Sequence, residues 1–330
     1  MKRLDRRRWL GHALAGALGA WPLHDAMAAF SESPFPSQPI SLWVPWPPGG
    51  ATDVSLRLLA QIASQSLGQT VIVKNRSGAG GILAMPLLQT APPDGYTIAQ
   101  MPQPVFHAPH VQKVPWDPIR DVTPIIQISS VTFGVLVAGG SSMRSLDDLF
   151  AFARKYPGEL TIATNGVGTT PHIVLEQLFT ARGLRYIHVP YKGTAEQLNA
   201  IASGQVMAGV NSSGFGPAVD AAILRLLVIF TAERSRRWPQ VPTLRELGID
   251  IVAKSPYGLA GPRGLPPHVV SVLHDAFKQA VFDPRFQTEL VKYDQEIDYL
   301  GPEAYAQSCR NIYEQERVAV EKMGLANQGD

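Results

Sequence analysis

Short apolar, β-branched runs alternate along this chain with longer stretches whose apolar residues recur at helical spacing. The short runs read as strands: Ile40–Val44, Val71–Val73, Thr97–Gln100, Gly134–Ala138, Leu160–Ala163, Tyr186–Val189, Ala208–Val210 and Leu226–Phe230. The longer ones read as helices: Asp53–Leu67, Gly81–Gln89, Leu146–Tyr156, Pro171–Arg182, Thr194–Ser203, Pro217–Ala222, Thr243–Leu247, Pro266–Phe282, Pro284–Leu290 and Pro302–Met323. Strand–helix alternation of this kind predicts an α/β fold, with ligands held at the carboxyl ends of strands. The 28 prolines and 29 glycines fall mostly in connections such as Pro92-Pro93-Asp94-Gly95, where they punctuate elements. Only Phe30–Pro39 and Leu325–Asp330 are expected to lack regular structure.

The most informative stretch is Ile40–Ser66: a buried strand, a Pro/Gly loop, then a helix starting near Thr52 with an apolar stripe of Leu56, Leu59, Ala60 and Ala63. The first N–H groups of a helix lack internal partners, and the aligned peptide dipoles leave positive charge there, so such a junction suits an anion. Gly49 and Gly50 let backbone amides face a ligand. No Lys-Ser or Lys-Thr follows the glycines, which excludes a nucleotide-binding P-loop. Thr52 or Asp53 is expected to cap the helix. Asp53 reads as cap and loop organiser rather than catalytic acid, since the motif holds no second carboxylate. A plain strand-to-helix turn remains the alternative from this segment alone.

Three downstream segments repeat the logic. Asn75-Arg76-Ser77-Gly78-Ala79-Gly80-Gly81 follows a strand and opens a helix, but its spacing is not that of a dinucleotide fingerprint. Thr164-Asn165-Gly166-Val167-Gly168-Thr169-Thr170-Pro171 offers amides and hydroxyls, with Pro171 suited to a first helical turn. Asn211-Ser212-Ser213-Gly214 is another small polar loop after a strand. Together they predict one shared cleft.

The first residues change how the charge is read. Met1–Ala29 has a basic start, an apolar segment Leu10–Trp21 and the small-residue site Ala26-Met27-Ala28, the pattern of a cleaved signal peptide. Asp5-Arg6-Arg7-Arg8-Trp9-Leu10 is similar to a twin-arginine export pattern, an arginine-rich general secretory leader being the alternative. The chain carries 29 basic and 27 acidic residues, and without the leader the balance is near neutral, which argues against nucleic acid as a partner. No later run is apolar enough to span a membrane. The single cysteine, Cys309, excludes an intrachain disulfide and a cysteine-based metal cage. Roughly 300 residues after the leader favour two lobes over one small core.

The ordered set of motifs resembles the Bug family of extracytoplasmic receptors of tripartite tricarboxylate transporters. The matching pieces are Val44-Pro45-Trp46-Pro47-Pro48-Gly49-Gly50-Ala51-Thr52-Asp53, Val73-Lys74-Asn75-Arg76-Ser77-Gly78-Ala79-Gly80-Gly81, Ala91-Pro92-Pro93-Asp94-Gly95-Tyr96-Thr97 and Trp116-Asp117-Pro118-Ile119-Arg120-Asp121. Further on come Gly166-Val167-Gly168 with His172, His188-Val189-Pro190-Tyr191-Lys192-Gly193, Gly204-Gln205-Val206, and Ala232-Glu233-Arg234-Ser235 with Val241-Pro242-Thr243. The resemblance implies a two-lobed periplasmic-binding-protein fold (type II-like) with a central cleft and two interlobe crossings, near Phe133–Ala138 and Tyr257–Pro262. Lobe 1 is expected to hold residues 36–137 and 258–330, and lobe 2 residues 138–257. It further implies a small carboxylate ligand, aliphatic or aromatic, no cofactor and no metal, and a transporter's membrane permease as partner of a periplasmic monomer. A membrane sensor kinase is the alternative partner, and an extracytoplasmic hydrolase the distant alternative, since Ser212-Ser213-Gly214 lacks the flanking glycine of a nucleophile elbow.

The expected ligand-binding residues are Trp46, Gly49, Gly50, Thr52, Gly78, Ala79, Gly80, Asn165, Gly166, Gly168, Thr169, Thr170, Tyr191, Ser212 and Ser213. Trp46 stands where the family usually has phenylalanine or tyrosine, and Ser77 where proline is common. Ala163-Thr164-Asn165 replaces a Ser-containing segment, and Thr169 and Thr170 are bulkier than the serines often found there.

Overall fold

The computed structural model describes residues 35–322, so the expected leader Met1–Ala29 and tail Leu325–Asp330 lie outside the described residues. In chain order the elements are β1 (Ile40–Val44), α1 (Ala51–Leu67), β2 (Val71–Asn75), α2 (Ala84–Thr90), β3 (Thr97–Met101), α3 (Pro104–Val111) and β4 (Val122–Ala138). Next come α4 (Leu146–Lys155), β5 (Thr161–Thr164), α5 (Thr170–Thr180), β6 (Ile187–Pro190), α6 (Thr194–Ala202), β7 (Ala208–Ser212), α7 (Gly216–Asp220) and β8 (Leu224–Ile229). The chain then runs through β9 (Lys254–Pro262), α8 (Pro267–Val281), α9 (Pro284–Val291), β10 (Glu296–Leu300) and α10 (Pro302–Lys322).

The strands form one mixed sheet of order β2-β1-β3-β9-β4-β7-β5-β6, with β8 and β10 also pairing β4. Parallel β1, β2 and β3 make one end, and parallel β5, β6 and β7 the other. Antiparallel β9 and β4 join them. Strand β4 is the spine. Its residues up to Thr132 pair with β9 and β10, and from Phe133 onward it pairs with β7 and β8.

Only the last residues of β4 read as strand in the sequence, because Gln127, Ser129, Ser130 and Thr132 interrupt the apolar run. These side chains are nevertheless buried. Ser129 Oγ donates to the Glu296 carbonyl at 2.7 Å, and Gln127 Nε2 to the Asp298 carbonyl at 3.1 Å. A buried polar group that finds such partners loses little on leaving water, so neighbouring β10 makes this polar run compatible with a central strand. Strand β9 went unread for a related reason. Its Gly258 weakens the local pattern, yet a Cβ there would lie 2.2 Å from the Ile126 carbonyl oxygen and 2.6 Å from the Tyr305 ring. The glycine is a packing requirement of its neighbours.

The predicted apolar stripe of α1 is buried throughout, with Leu56 and Leu59 fully enclosed. Each such leucine stabilises the fold by roughly 1.5–3 kcal/mol. Helix α4 is fixed by a capping box, the Asp148 N–H donating to Ser145 Oγ while Asp148 Oδ2 accepts from the Ser145 N–H. The described residues make one compact unit.

Candidate functional site

Strand β1 runs out through Pro45–Gly50 into α1, whose N-cap is Gly50, with no side-chain cap bond. The expected cap, Thr52 or Asp53, is thereby corrected: the helix starts at Ala51, and Asp53 occupies its third position. The second part of the expectation for Asp53, loop organisation, is met. Its Oδ2 accepts the Gly49 N–H at 2.9 Å and Arg57 Nε at 3.0 Å, while Oδ1 accepts Asn75 Nδ2 at 2.7 Å. Burial raises the pKa of this carboxyl, but bonds from Arg57, Asn75 and Gly49 outweigh it and leave the group below its ordinary 3.8. With Asp53 so occupied, the N–H groups of Ala51 and Thr52 are left without an acceptor in the described chain.

Two further helix starts repeat this condition. Helix α5 begins at Thr170 after N-cap Thr169, and α6 at Thr194 after N-cap Gly193, neither with a side-chain cap bond. Thr169 Oγ1 is instead used on the Gly166 carbonyl at 2.8 Å. All three starts line one cavity of about 240 Å³, through Gly50–Asp53, Thr169–Pro171 and Gly193–Glu196. Each helix N-terminus acts as roughly half a positive charge. Among the described residues no Lys, Arg or His lies on the lining, and its acids are Asp53 and Glu196. Trp46, Pro102, Pro104, Val131, Phe133 and Tyr257 supply apolar wall.

Buried polar atoms without partners gather here. Among the described residues, Gln100 Oε1, Asn165 Oδ1 and Thr170 Oγ1 are buried and make no hydrogen bond, and all three residues line the cavity. An unpaired buried polar atom costs about 1–3 kcal/mol. Of the three only the Thr170 hydroxyl can donate, and with the amides of three helix starts it offers donors to a small anion, whereas Gln100 Oε1 and Asn165 Oδ1 are acceptors suited to a hydroxyl or a protonated group.

A second cavity of about 180 Å³ adjoins Gly78–Gly81, Gly166, Pro190, Tyr191 and Lys192. Trp46 lines both. The two ends of the sheet touch directly around these spaces: a Cβ at Gly193 would lie 2.8 Å from Pro47 Cγ, and one at Gly80 3.1 Å from the Val167 carbonyl oxygen.

The expected ligand-binding residues therefore divide. Trp46, Gly50, Thr52, Asn165, Thr169, Thr170 and Ser212 line the larger cavity, whereas Gly78, Ala79, Gly80, Gly166 and Tyr191 line the smaller. Gly49 lines neither, since its N–H is turned to Asp53. Gly168 also lines neither: its N–H donates to His172 Nδ1 at 3.2 Å, and its free side faces His107. Ser213 opens a short 3₁₀ turn, and its side chain lies outside what the structure describes. Missing from the expectation were Gln100, Ser255, Tyr257 and the start of α6. The α6 junction carried the same strand–Gly–helix signal as the others. Ser255 and Tyr257 carried none, because β9 itself went unread.

Beside the α5 junction His172 stacks on His188, with ring centroids 4.2 Å apart. Thr164 Oγ1 lies 2.6 Å from His188 Nε2, and Tyr186 donates its hydroxyl to Glu176. Burial, with His172 alongside, pushes His188 down to about 4, and burial also lowers His172. Opposite, buried His107 contacts Glu316 at 2.8 Å. None of these histidines lines the larger cavity, and among the described residues no cluster of His, Cys, Asp and Glu is placed to hold a metal.

The geometry can be set beside known proteins. A family model described as the tripartite tricarboxylate transporter family receptor, TctC, matches residues 55–325. The UPF0065 protein in the gbd 5′ region of Cupriavidus necator is 40% identical over 324 residues, covering 98% of this chain and 99% of that one. BugT of Bordetella pertussis is 32% identical over 262 residues, covering 77% of this chain and 79% of BugT. Among solved structures, the periplasmic binding protein BugD superposes with a TM-score of 0.84 at 26% identity, over 88% of this chain and 99% of BugD. MatC from Rhodopseudomonas palustris with bound malate gives 0.81 at 26%, over 87% and 100%. An R. palustris protein with adipate gives 0.83 at 27%, over 88% and 99%. The fold is thus the α/β periplasmic-binding-protein fold expected from the sequence. With a receptor-family match over most of the described residues and a relative alike from end to end, this chain belongs to the tripartite tricarboxylate transporter receptor family.

Proposed function

We propose that this protein is a periplasmic solute-binding receptor that captures a small carboxylate and hands it to the membrane permease of a tripartite tricarboxylate transporter. The observation that carries the reading is the convergence of the starts of α1, α5 and α6 on one cavity that, among the described residues, neither lysine, arginine nor histidine lines. Oriented amides in a partly water-excluded space stabilise an anion without a mobile counter-charge. Family membership supports the same reading, as do malate and adipate in two structures of the same fold.

In this reading residues 36–137, with the chain after 258, form one lobe and residues 138–257 the other. The α1 junction grips from the first lobe, the α5 and α6 junctions from the second. Closure on the ligand follows from its better fit to the closed state, and the closed surface is what the permease recognises. The role is capture without catalysis, in a monomer exported by its leader. No helix among the described residues is long and apolar enough to cross a membrane.

A thermal-shift screen with mono-, di- and tricarboxylates tests the proposal, because a ligand that binds only the folded state raises the melting temperature. At least one carboxylate class is expected to do so. A protein stabilised by neutral sugars or cations, and by no carboxylate, would refute the reading.

A further inference from the structure

We propose that Trp46 is the partition that sets the length of ligand this receptor accepts, dividing one long cleft into two compartments. Among the described residues Trp46 is the one common to the linings of the larger and smaller cavities. Its indole is wedged in place: a Cβ on Gly81 would lie 2.9 Å from Trp46 Cη2 and 3.3 Å from Pro102 Cγ. The Trp46 carbonyl is held as well, accepting Asn75 Nδ2 at 3.0 Å. The largest of the side chains thus stands between the two spaces, fixed at backbone and ring.

The far compartment is equipped for an anion of its own. Gly78, Ala79, Gly80 and Gly81 all have positive φ, Ala79 at 47° without the freedom of glycine. Consecutive residues of this kind turn amides toward a common concavity. The N–H groups of Ala79 and Gly80 make no hydrogen bond to the rest of the described chain, and Lys192 lies on the same lining. The larger cavity, by contrast, shows no cationic side chain on its described lining. A short ligand with one gripped carboxylate fits on the near side of the indole. A long α,ω-dicarboxylate would place its second carboxylate at Ala79, Gly80 and Lys192, but only if the indole were out of the way.

This inference rests on the carboxylate reading above, and isothermal titration of succinate, adipate and suberate tests it on the wild-type receptor and on Trp46→Ala. The suberate-to-succinate affinity ratio is expected to rise on the order of tenfold or more in Trp46→Ala, the discrimination that one or two methylenes carry in a shaped pocket. Trp46→Phe, which keeps a ring and protects the fold, is expected to move the ratio the same way by less. If Trp46→Ala does not fold, the Trp46→Phe ratio decides. An unchanged ratio in the folded variants overturns the partition while leaving the carboxylate reading standing. A uniform loss of affinity for all three diacids also overturns it, since that marks a purely structural role. Absence of binding by every diacid to every protein overturns both.

Discussion

Asn75, the last residue of β2, donates its Nδ2 to Asp53 Oδ1 at 2.7 Å and to the Trp46 carbonyl at 3.0 Å. One side chain therefore ties a neighbouring strand to the first helical turn of α1 and to the loop before it. Asp53 is spent on this bracing, with 2% of its surface exposed. Its carboxylate is thereby turned to its own loop, and the amides of Ala51 and Thr52 stay available for a ligand.

Asp53→Asn is expected to lower stability by about 2 kcal/mol, since charge-assisted bonds from the Gly49 N–H and Arg57 become weaker or unmade. The sign with pH follows from the lowered pKa: the stabilisation is complete above the unfolded value of 3.8 and is lost as pH falls through the lower folded value. Urea unfolding across the acid range should give a shallower acid-side loss in the variant than in the wild type. Identical acid limbs would show that Asp53 does not brace the loop.

Thr170→Val separates binding from stability. Thr170 lines the larger cavity, and its Oγ1 is buried with no partner in the described chain. Replacing it with a methyl group is expected to leave the melting temperature unchanged or raise it slightly, because no internal bond is lost. Affinity for a bound carboxylate should fall about tenfold, the usual weight of a hydrogen bond to a charged group. A variant that binds as tightly as the wild type would remove Thr170 from the site.

Gly193→Ala tests the contact between the two ends of the sheet. Its new Cβ would lie 2.8 Å from Pro47 Cγ, so the α6 start and the Trp46 loop must move apart. Overpacking of this kind costs roughly 1–3 kcal/mol. Titration calorimetry should find ligand affinity reduced alongside the lower melting temperature. Loss of stability with unchanged affinity would mean that the α6 start does not reach the ligand.

The stacked histidines predict a loss of stability in mild acid. His188 is held at about 4 when folded, against an ordinary 6.5. Between those values the unfolded chain takes up a proton that the folded protein refuses, so stability is full above 6.5 and declines as pH falls toward 4. His172, also lowered, acts with the same sign. Denaturant unfolding at about pH 7 and about pH 5 should show the decline, and His188→Gln should reduce it. Equal slopes in the two proteins would assign the acid sensitivity elsewhere.

What the sequence determined by itself was local. The turn from strand through glycine into a helix is written in adjacent residues, so the β1–α1 and β5–α5 junctions and the apolar face of α1 were legible. The order of motifs carried the family. The roles of β4 and β9 were not legible, because Gln127, Ser129 and Gly258 look like interruptions until Glu296, Asp298 and Tyr305 are packed against them. Nor does any local pattern tell that Gly78–Gly80 and Thr52 face different spaces. Trp46 borders both spaces, and Gly81 and Pro102, which pack beside its indole, come from separate parts of the chain. Hydrogen-bond acceptance and packing between residues distant in sequence are properties of the assembled fold, and in this protein they decided how the predicted grip is divided.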